Sequence, residues 1–186
     1  MSFAKITALI IVCLASQAAH AHTQCGLNLP DSAKEFLGIS ENCEISFVHD
    51  VDYANLNYFT IYNKSGVNEI LNDSTFFANF DGKNYFVSEE VDDPKVTIKV
   101  LGQEEAQPIK ASGIQGYQGK STLSVQILPP ADQKKSRLFS GRLSCLMVVE
   151  GNDLRSFKGR FCAPDNSAGR ERLKRFKSFV DGIEFD

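Results

Sequence analysis

The chain has 186 residues, of which 42% are hydrophobic and 23% are charged, and its formal net charge is −3. A chain of this length is expected to form one domain that buries roughly 70% of its unfolded surface. The excess of acidic over basic residues argues against a protein whose whole surface binds nucleic acid, because such domains are usually strongly basic.

Residues 1–21 have the three parts of an export signal. Lys5 provides the positive start, an apolar run follows it, and Ala19 and Ala21 place small residues where a signal peptidase cleaves. The apolar run is shorter than the ~20 residues that a membrane span requires. The sequence therefore predicts a signal peptide over residues 1–21 and a single exported globular domain over residues 22–186, with no membrane anchor. The alanine-rich leader favours a periplasmic or secreted location.

Four cysteines remain in the predicted mature chain, and their even number indicates two disulfide bonds in an oxidising compartment. They are Cys25, Cys43, Cys145 and Cys162. Three pairings are open, and closeness in sequence favours Cys25–Cys43 together with Cys145–Cys162. No Cys-x-x-Cys spacing occurs and histidines are scarce, so we expect no metal site and no cofactor.

The first elements are predicted from a helix-start signal and then from alternating residues. The Pro-Asp-Ser sequence at Pro30 predicts a helix of one or two turns. The aromatic and β-branched run 51–62 predicts a strand that is covered on both faces. Asp81 and Gly82, between two apolar runs, predict a β-hairpin with a type I′ turn over residues 75–87.

Two alternating strands are predicted over residues 96–100 and 123–127. Between them, residues 102–120 are polar and contain several glycines. This composition predicts the longest loop of the protein, and long loops often carry binding residues.

The last third of the chain predicts a hairpin followed by a helix. A strand over residues 143–149 is followed by a turn and a returning strand. A four-residue loop over 152–155 would place Cys145 opposite Cys162, within the ~7 Å between Cα atoms that a disulfide allows. Residues 164–167 open a helix that extends to about Val180 and carries one apolar stripe.

Together these elements predict an α+β fold. We expect a mainly antiparallel β-sheet of about six to eight strands, with a short N-terminal helix and a C-terminal helix packed on one face.

No pattern of catalytic residues emerges from the sequence. A phosphate-binding loop ending at Gly119 would need glycine where Ile114 stands. In a strand, His49 faces away from its neighbours Asp50 and Asp52, so the imidazole and the carboxylates do not converge. We therefore expect no catalytic residue, which favours a protein that is not an enzyme, although a pair of carboxylates leaves little trace in a sequence.

Charge is distributed unevenly along the chain. Residues 22–130 contain 7 Lys/Arg and 15 Asp/Glu, whereas residues 131–186 contain 12 Lys/Arg and 8 Asp/Glu. Such asymmetry can steer a charged partner towards one region of the surface. The candidate binding residues are Tyr117 and Lys120 in the predicted loop, Glu89 and Glu90 in an acidic turn, and Lys174 and Arg175 on the basic C-terminal helix.

By exclusion, the sequence predicts an exported protein-binding module, of the inhibitor or immunity type, that acts through its surface without catalysis. Its expected partner is another protein and not a nucleic acid. One alternative is a carboxylate-dependent periplasmic hydrolase, which requires a concave site with an Asp or Glu of raised pKa. The other alternative is a structural, envelope-associated domain without a discrete site.

Overall fold

The computed structural model describes residues 22–39, 45–47, 56–87, 96–111, 113–128 and 139–185. Within these residues the chain forms thirteen strands and three helices. The strands are β1 (His22–Gln24), β2 (Leu27–Leu29), β3 (Leu37–Ile39), β4 (Ile45–Phe47), β5 (Tyr58–Tyr62), β6 (Phe77–Phe80), β7 (Lys83–Phe86), β8 (Val96–Gln103), β9 (Gln107–Ala111), β10 (Ile114–Ile127), β11 (Phe139–Gly151), β12 (Ser156–Pro164) and β13 (Glu184–Phe185). The helices are α1 (Ala33–Phe36), α2 (Val67–Leu71) and α3 (Ser167–Val180).

A six-stranded sheet forms the centre of the fold. Its order is β5-β12-β11-β10-β8, and β9 also pairs with β10. All of these pairings are antiparallel. Three smaller sheets, β1-β2-β13, β3-β4 and β6-β7, surround it. The predicted α+β fold with a mainly antiparallel sheet is therefore confirmed.

Helix α3 packs on one face of the central sheet, as predicted, through phenylalanine rings. Phe176 and Phe179 are fully buried, and the Phe176 ring lies 4.9 Å from that of Phe161 on β12. Phe36 of α1 closes the cluster, 5.4 Å from Phe176 in an edge-to-face arrangement. Such ring pairs add roughly 0.5–1.5 kcal/mol each beyond the area that they bury.

The opposite face of the sheet is covered by α2 and by the β6–β7 hairpin. Met147 and Val149 of β11 pack there against Val67, Phe76 and Phe86. The sequence did not predict α2, because five residues are too few to show a helical period. The β6–β7 hairpin is confirmed.

The β6–β7 turn has the predicted type I′ geometry. Asp81 has φ of 51° and Gly82 has φ of 78°. A type I′ turn requires positive φ at both central residues, which glycine adopts freely and aspartate tolerates.

The hairpin between β11 and β12 has the predicted four-residue loop, since Gly151 pairs with Ser156. Asn152 holds this loop, because its side-chain oxygen accepts hydrogen bonds from the backbone of Leu154 and Arg155. The resulting register places the two nearby cysteines opposite each other.

The disulfide between Cys145 and Cys162 is confirmed, with the two residues directly paired across β11 and β12. Cys25 is also disulfide-bonded. Its expected partner Cys43 lies outside the described residues, so the Cys25–Cys43 pairing stays a prediction.

The long loop predicted over residues 102–120 is wrong. β8 continues to Gln103, and most of the remaining residues belong to β9 and β10. Two glycines of this segment, Gly116 and Gly119, allow close packing: a Cβ on Gly119 would lie 2.9 Å from a ring carbon of Phe86. Glycine inside a strand often marks such a close approach and not a break in the strand. The predicted strand over 51–62 is described only from Tyr58, and residues 51–55 lie outside the described chain.

Helix α3 begins where the sequence predicts. Asn166 precedes its first residue, and the Asn166 side chain accepts a hydrogen bond of 2.9 Å from the backbone of Gly169. The first turn folds tightly onto the end of β12, because a Cβ placed on Gly169 would lie 1.8 Å from the carbonyl oxygen of Pro164. No side chain fits at this position without moving the backbone.

Gly169→Ala is therefore expected to destabilise the protein by roughly 2–3 kcal/mol, as overpacking does. In an ordinary helix the same change stabilises by about 1 kcal/mol, so the expected sign is reversed here. Urea denaturation measures the difference. Gly102→Ala is the control, because nothing lies within 4 Å of that Cβ position, and it should change the free energy of unfolding by less than about 1 kcal/mol. Equal stability of the two variants would contradict the described helix start.

Candidate functional site

A groove of about 330 Å³ lies between one side of α3 and the neighbouring strands β10 and β11. Its walls carry four cationic side chains, which are Lys120 on β10 and Arg170, Lys174 and Lys177 on α3. We call this the basic groove. Leu146 and Leu173 provide apolar surface, and the hydroxyls of Thr122 and Ser144 provide polar groups.

The strand periodicity explains why β10 contributes polar residues to the groove. Lys120 pairs with Leu146 of β11, and Thr122 pairs with Ser144, so all four lie on the sheet face that α3 covers. α3 packs over β11 and β12. The α3 side of β10 therefore stays accessible beside the helix and forms one wall of the groove.

The helix periodicity aligns the three cations of the other wall. Arg170, Lys174 and Lys177 are spaced by four and three residues, which places them on one face of α3. Each lies near a carboxylate in an exposed pair, and exposed pairs contribute only about 0–1 kcal/mol. A ligand carboxylate can therefore replace these partners at little cost. The pairs are Arg170–Asp165 (3.7 Å), Lys174–Glu171 (3.8 Å) and Lys177–Asp181 (2.7 Å).

Lys120 differs from the helix cations because it makes no ion pair with any residue that the structure describes. Its side chain is exposed. Glu104 is the single acidic residue among those that line the described groove. Four cations and one carboxylate line the basic groove, while the carboxylate partners of the three helix cations lie outside its lining.

Two of the predicted binding residues, Lys120 and Lys174, are brought together in the basic groove. The sequence placed them in separate elements, a loop and a helix, with no indication that they share a site. Arg170 and Lys177 also line the groove and were not among the predicted binding residues. Their spacing relative to Lys174 could have indicated them, because residues four before and three after lie on the same helix face.

Tyr117 and Arg175 lie away from the basic groove. Tyr117 is on the opposite face of the sheet, where its ring packs 4.8 Å from that of Phe77. Arg175 forms an ion pair with Glu35 of α1, with 2.6 Å between the nitrogen and the oxygen. Both side chains have structural contacts that account for their positions.

The remaining candidates fall outside the described residues. These are Glu89 and Glu90 of the predicted acidic turn, and the sequence around His49.

Glu150 is a buried acid that sequence reasoning missed. It lies on β11, on the same sheet face as the basic groove, and its residue surface is only 6% exposed. The pKa of Glu150 is raised to about 7, chiefly by burial; the charge of Asp181 contributes to this rise and the charge of Lys177 opposes it. Lys177 also lines the basic groove, so one cation belongs to the groove and acts electrostatically on Glu150.

Gly116 of β10 provides the space for this carboxyl group. Gly116 pairs with Glu150, and a Cβ on Gly116 would lie 2.9 Å from Cγ of Glu150. The burial of Glu150 could not be predicted from the sequence, because a glutamate at the end of an apolar strand usually points into solvent.

In the part of the chain that the structure describes, no three His, Cys, Asp or Glu side chains are grouped so that they could hold a metal ion. The described helices include none with the length and apolar character that crossing a bilayer demands.

The sequence matches no protein-family model and no curated protein.

Proposed function

We propose that this protein is an exported binding module that takes an acidic segment of another protein into the basic groove. The convergence of four cations on one groove, opposed there by a single carboxylate, is the observation that carries this function. Complementary charge speeds the encounter of two proteins and fixes their relative orientation. An inhibitor or immunity-type protein that blocks an acidic surface is the form of binding module that we favour.

The proposed location is the periplasm or the extracellular space. The Cys145–Cys162 disulfide supports it, because structural disulfides persist in oxidising compartments. The export signal predicted over residues 1–21 points to the same location.

A protein partner fits the charge distribution better than a nucleic acid does. The chain as a whole has a net charge of −3, whereas four cations and one carboxylate line the groove. A nucleic acid carries a phosphate at every nucleotide and would meet the acidic remainder of the surface. A short acidic segment can enter the groove without approaching that remainder.

Charge reversal at Lys120 tests this function. A fluorescent poly-glutamate peptide serves as the probe, and anisotropy at low ionic strength measures its affinity, because salt screens such contacts. Lys120→Glu is expected to weaken binding about tenfold or more, since it places a like charge against the ligand.

Lys64→Glu is the matched control, because Lys64 is exposed, lies outside the groove, and gives the same change in net charge. It should alter the affinity less than about twofold. An equal loss in both variants would show that net charge and not the groove attracts the peptide. Absence of binding to the wild-type protein would overturn the proposed function.

A carboxylate-dependent hydrolase is the second candidate, and Glu150 is the observation that favours it. Its pKa of about 7 suits a group that donates a proton near neutral pH, whereas its carboxyl group is buried and does not line the groove, so a substrate would reach it only after a local rearrangement. Turnover of chromogenic glycosides or peptides that Glu150→Gln abolishes would support this candidate. Equal turnover in the wild-type and variant proteins would remove it. The groove itself argues against a structural domain without a discrete site.

A further inference from the structure

We propose that the sheet face opposite α3 carries a second binding site, in which Arg160 of β12 binds a single small monovalent anion of the size of chloride. This site is separate from the basic groove, and it does not depend on the proposed function.

Arg160 is a buried cation. Its residue surface is 3% exposed, and it forms no ion pair with any residue that the structure describes. Arginine cannot be deprotonated in proteins, so the charge stays in this position at every pH. Burying a charge is costly unless an opposite charge and hydrogen bonds compensate it. An anion bound at Arg160 supplies the opposite charge.

Two contacts fix the guanidinium group of Arg160. Nε donates a hydrogen bond of 2.6 Å to the backbone carbonyl of Leu56, and the guanidinium carbon lies 5.0 Å from the centre of the Tyr58 ring. A carbonyl oxygen and a ring face attract a cation, but neither carries a full negative charge. The terminal nitrogens carry further N–H groups, which can donate to a ligand.

A pocket of about 10 Å³ lies against Arg160. Polar groups reach it from Ser121 of β10 and Gln103 of β8, which pair directly across their strands and therefore share a face of the sheet. The Ser121 hydroxyl can donate, and the Gln103 amide, which donates to the carbonyl of Phe86, has a second N–H. The remaining surface is apolar and includes Leu123 and Met147. We call this the Arg160 pocket.

The charge and the size of the Arg160 pocket define its ligand. No carboxylate is among the described residues that line it, and Glu104, which follows Gln103, lines the basic groove. A monovalent anion therefore neutralises the charge of Arg160, which a water molecule cannot do. A volume of about 10 Å³ is what one water-sized particle needs. Phosphate, sulfate and the carboxylate of a partner protein are too large.

Solvent reaches the Arg160 pocket beside β8, the last strand in the order of the described central sheet. Val100 and Gln103 of this strand line the pocket and are both exposed. Rotation of these two side chains lets an ion enter while the sheet stays folded, so the site can be titrated in the native protein.

Thermal unfolding in sodium chloride and in sodium gluconate, at equal sodium concentration, tests the proposal, because gluconate is too large for the pocket. A ligand that binds only the folded protein raises Tm with its concentration. At about ten times its dissociation constant, chloride should raise the Tm of the wild-type protein by about 3–6 °C. Arg160→Gln should remove this rise relative to gluconate. Arg172→Gln is the matched control, because Arg172 also lies over an aromatic ring but lines no part of the pocket, and it should keep the rise.

The line width of the ³⁵Cl resonance gives a second measurement that does not depend on stability. The wild-type protein should broaden the line by exchange with bound chloride, and added bromide should reverse the broadening by competition. Ser121→Ala keeps Arg160 and removes one donor, so it should weaken chloride binding about fivefold or more. Ser124→Ala is its control, because Ser124 lies on the opposite face of β10, and it should leave the affinity unchanged.

Three outcomes would overturn the proposal. An equal rise of Tm in the wild-type protein and Arg160→Gln would place the ion elsewhere, the basic groove included. Equal weakening by Ser121→Ala and Ser124→Ala would contradict the geometry of the pocket. A ³⁵Cl line that the wild-type protein leaves narrow would show that the pocket holds water only. The poly-glutamate affinity is measured separately, so each of these results leaves the proposed function standing.

Discussion

Replacing Glu150 with glutamine is expected to stabilise the folded protein by about 3 kcal/mol at pH 8 and by much less at pH 4. Burial raises the pKa of Glu150 from an ordinary value of 4.5 to about 7. At pH 8 the carboxyl group must therefore be ionised in a buried position, which opposes folding. Glutamine has nearly the same shape and stays neutral, so the variant avoids this cost.

The direction of the pH dependence follows from proton binding. Between about pH 4.5 and pH 7 the folded protein keeps the Glu150 proton, whereas the unfolded chain releases it. The contribution of Glu150 to stability therefore decreases as the pH rises through this window, and it is constant above and below it. The variant lacks this decrease.

Urea denaturation of both proteins at several pH values measures the effect. The difference between them should grow from near zero at pH 4 to its full size above pH 7. Glu69→Gln is the control, because Glu69 is exposed on α2, and it should change stability by less than about 0.5 kcal/mol at every pH. Parallel pH curves for the wild-type protein and Glu150→Gln would contradict the raised pKa.

The parts of the fold that the sequence predicted correctly are specified by residues close together in the chain. Asp81 and Gly82 define their turn through their own backbone preferences. Asn166 marks the start of α3 in the same local way. The β11–β12 loop length followed from a covalent requirement, because Cys145 and Cys162 bond only when they are opposite each other.

The loop predicted over residues 102–120 was wrong for one physical reason. Gly116 and Gly119 resemble loop residues until their neighbours are known, and these neighbours are Glu150 and Phe86, which are distant in the chain. The lack of a side chain at Gly116 and Gly119 allows close packing of the strand here, and packing partners cannot be derived from one sequence.

Only one wall of the basic groove could be predicted from the sequence. The cation row on α3 follows from helical periodicity alone. Its meeting with Lys120 depends on strand order, because β10 lies next to β11, on which the helix packs. The raised pKa of Glu150 depends on burial that only the assembled sheet and helix create.

The Cys145–Cys162 disulfide joins residues separated by 17 positions, and both are at most 1% exposed. In the chain-entropy description, a cross-link over a loop of this length stabilises by about 3 kcal/mol, because it restricts the unfolded chain. Both sulfur atoms are buried, so their removal also leaves a space in the core. If one cysteine is replaced with valine and the other with alanine, the valine side chain fills most of this space.

The double variant Cys145→Ala/Cys162→Val is therefore expected to lose about 3 kcal/mol in the free energy of unfolding and still to fold, since the Asn152 turn sets the hairpin register independently. Urea denaturation should also show a steeper dependence on denaturant, because the unfolded chain without the cross-link exposes more surface. The wild-type protein in strong reductant should lose more, because Cys25 is disulfide-bonded too. A loss below about 1 kcal/mol in the double variant would contradict the entropic explanation.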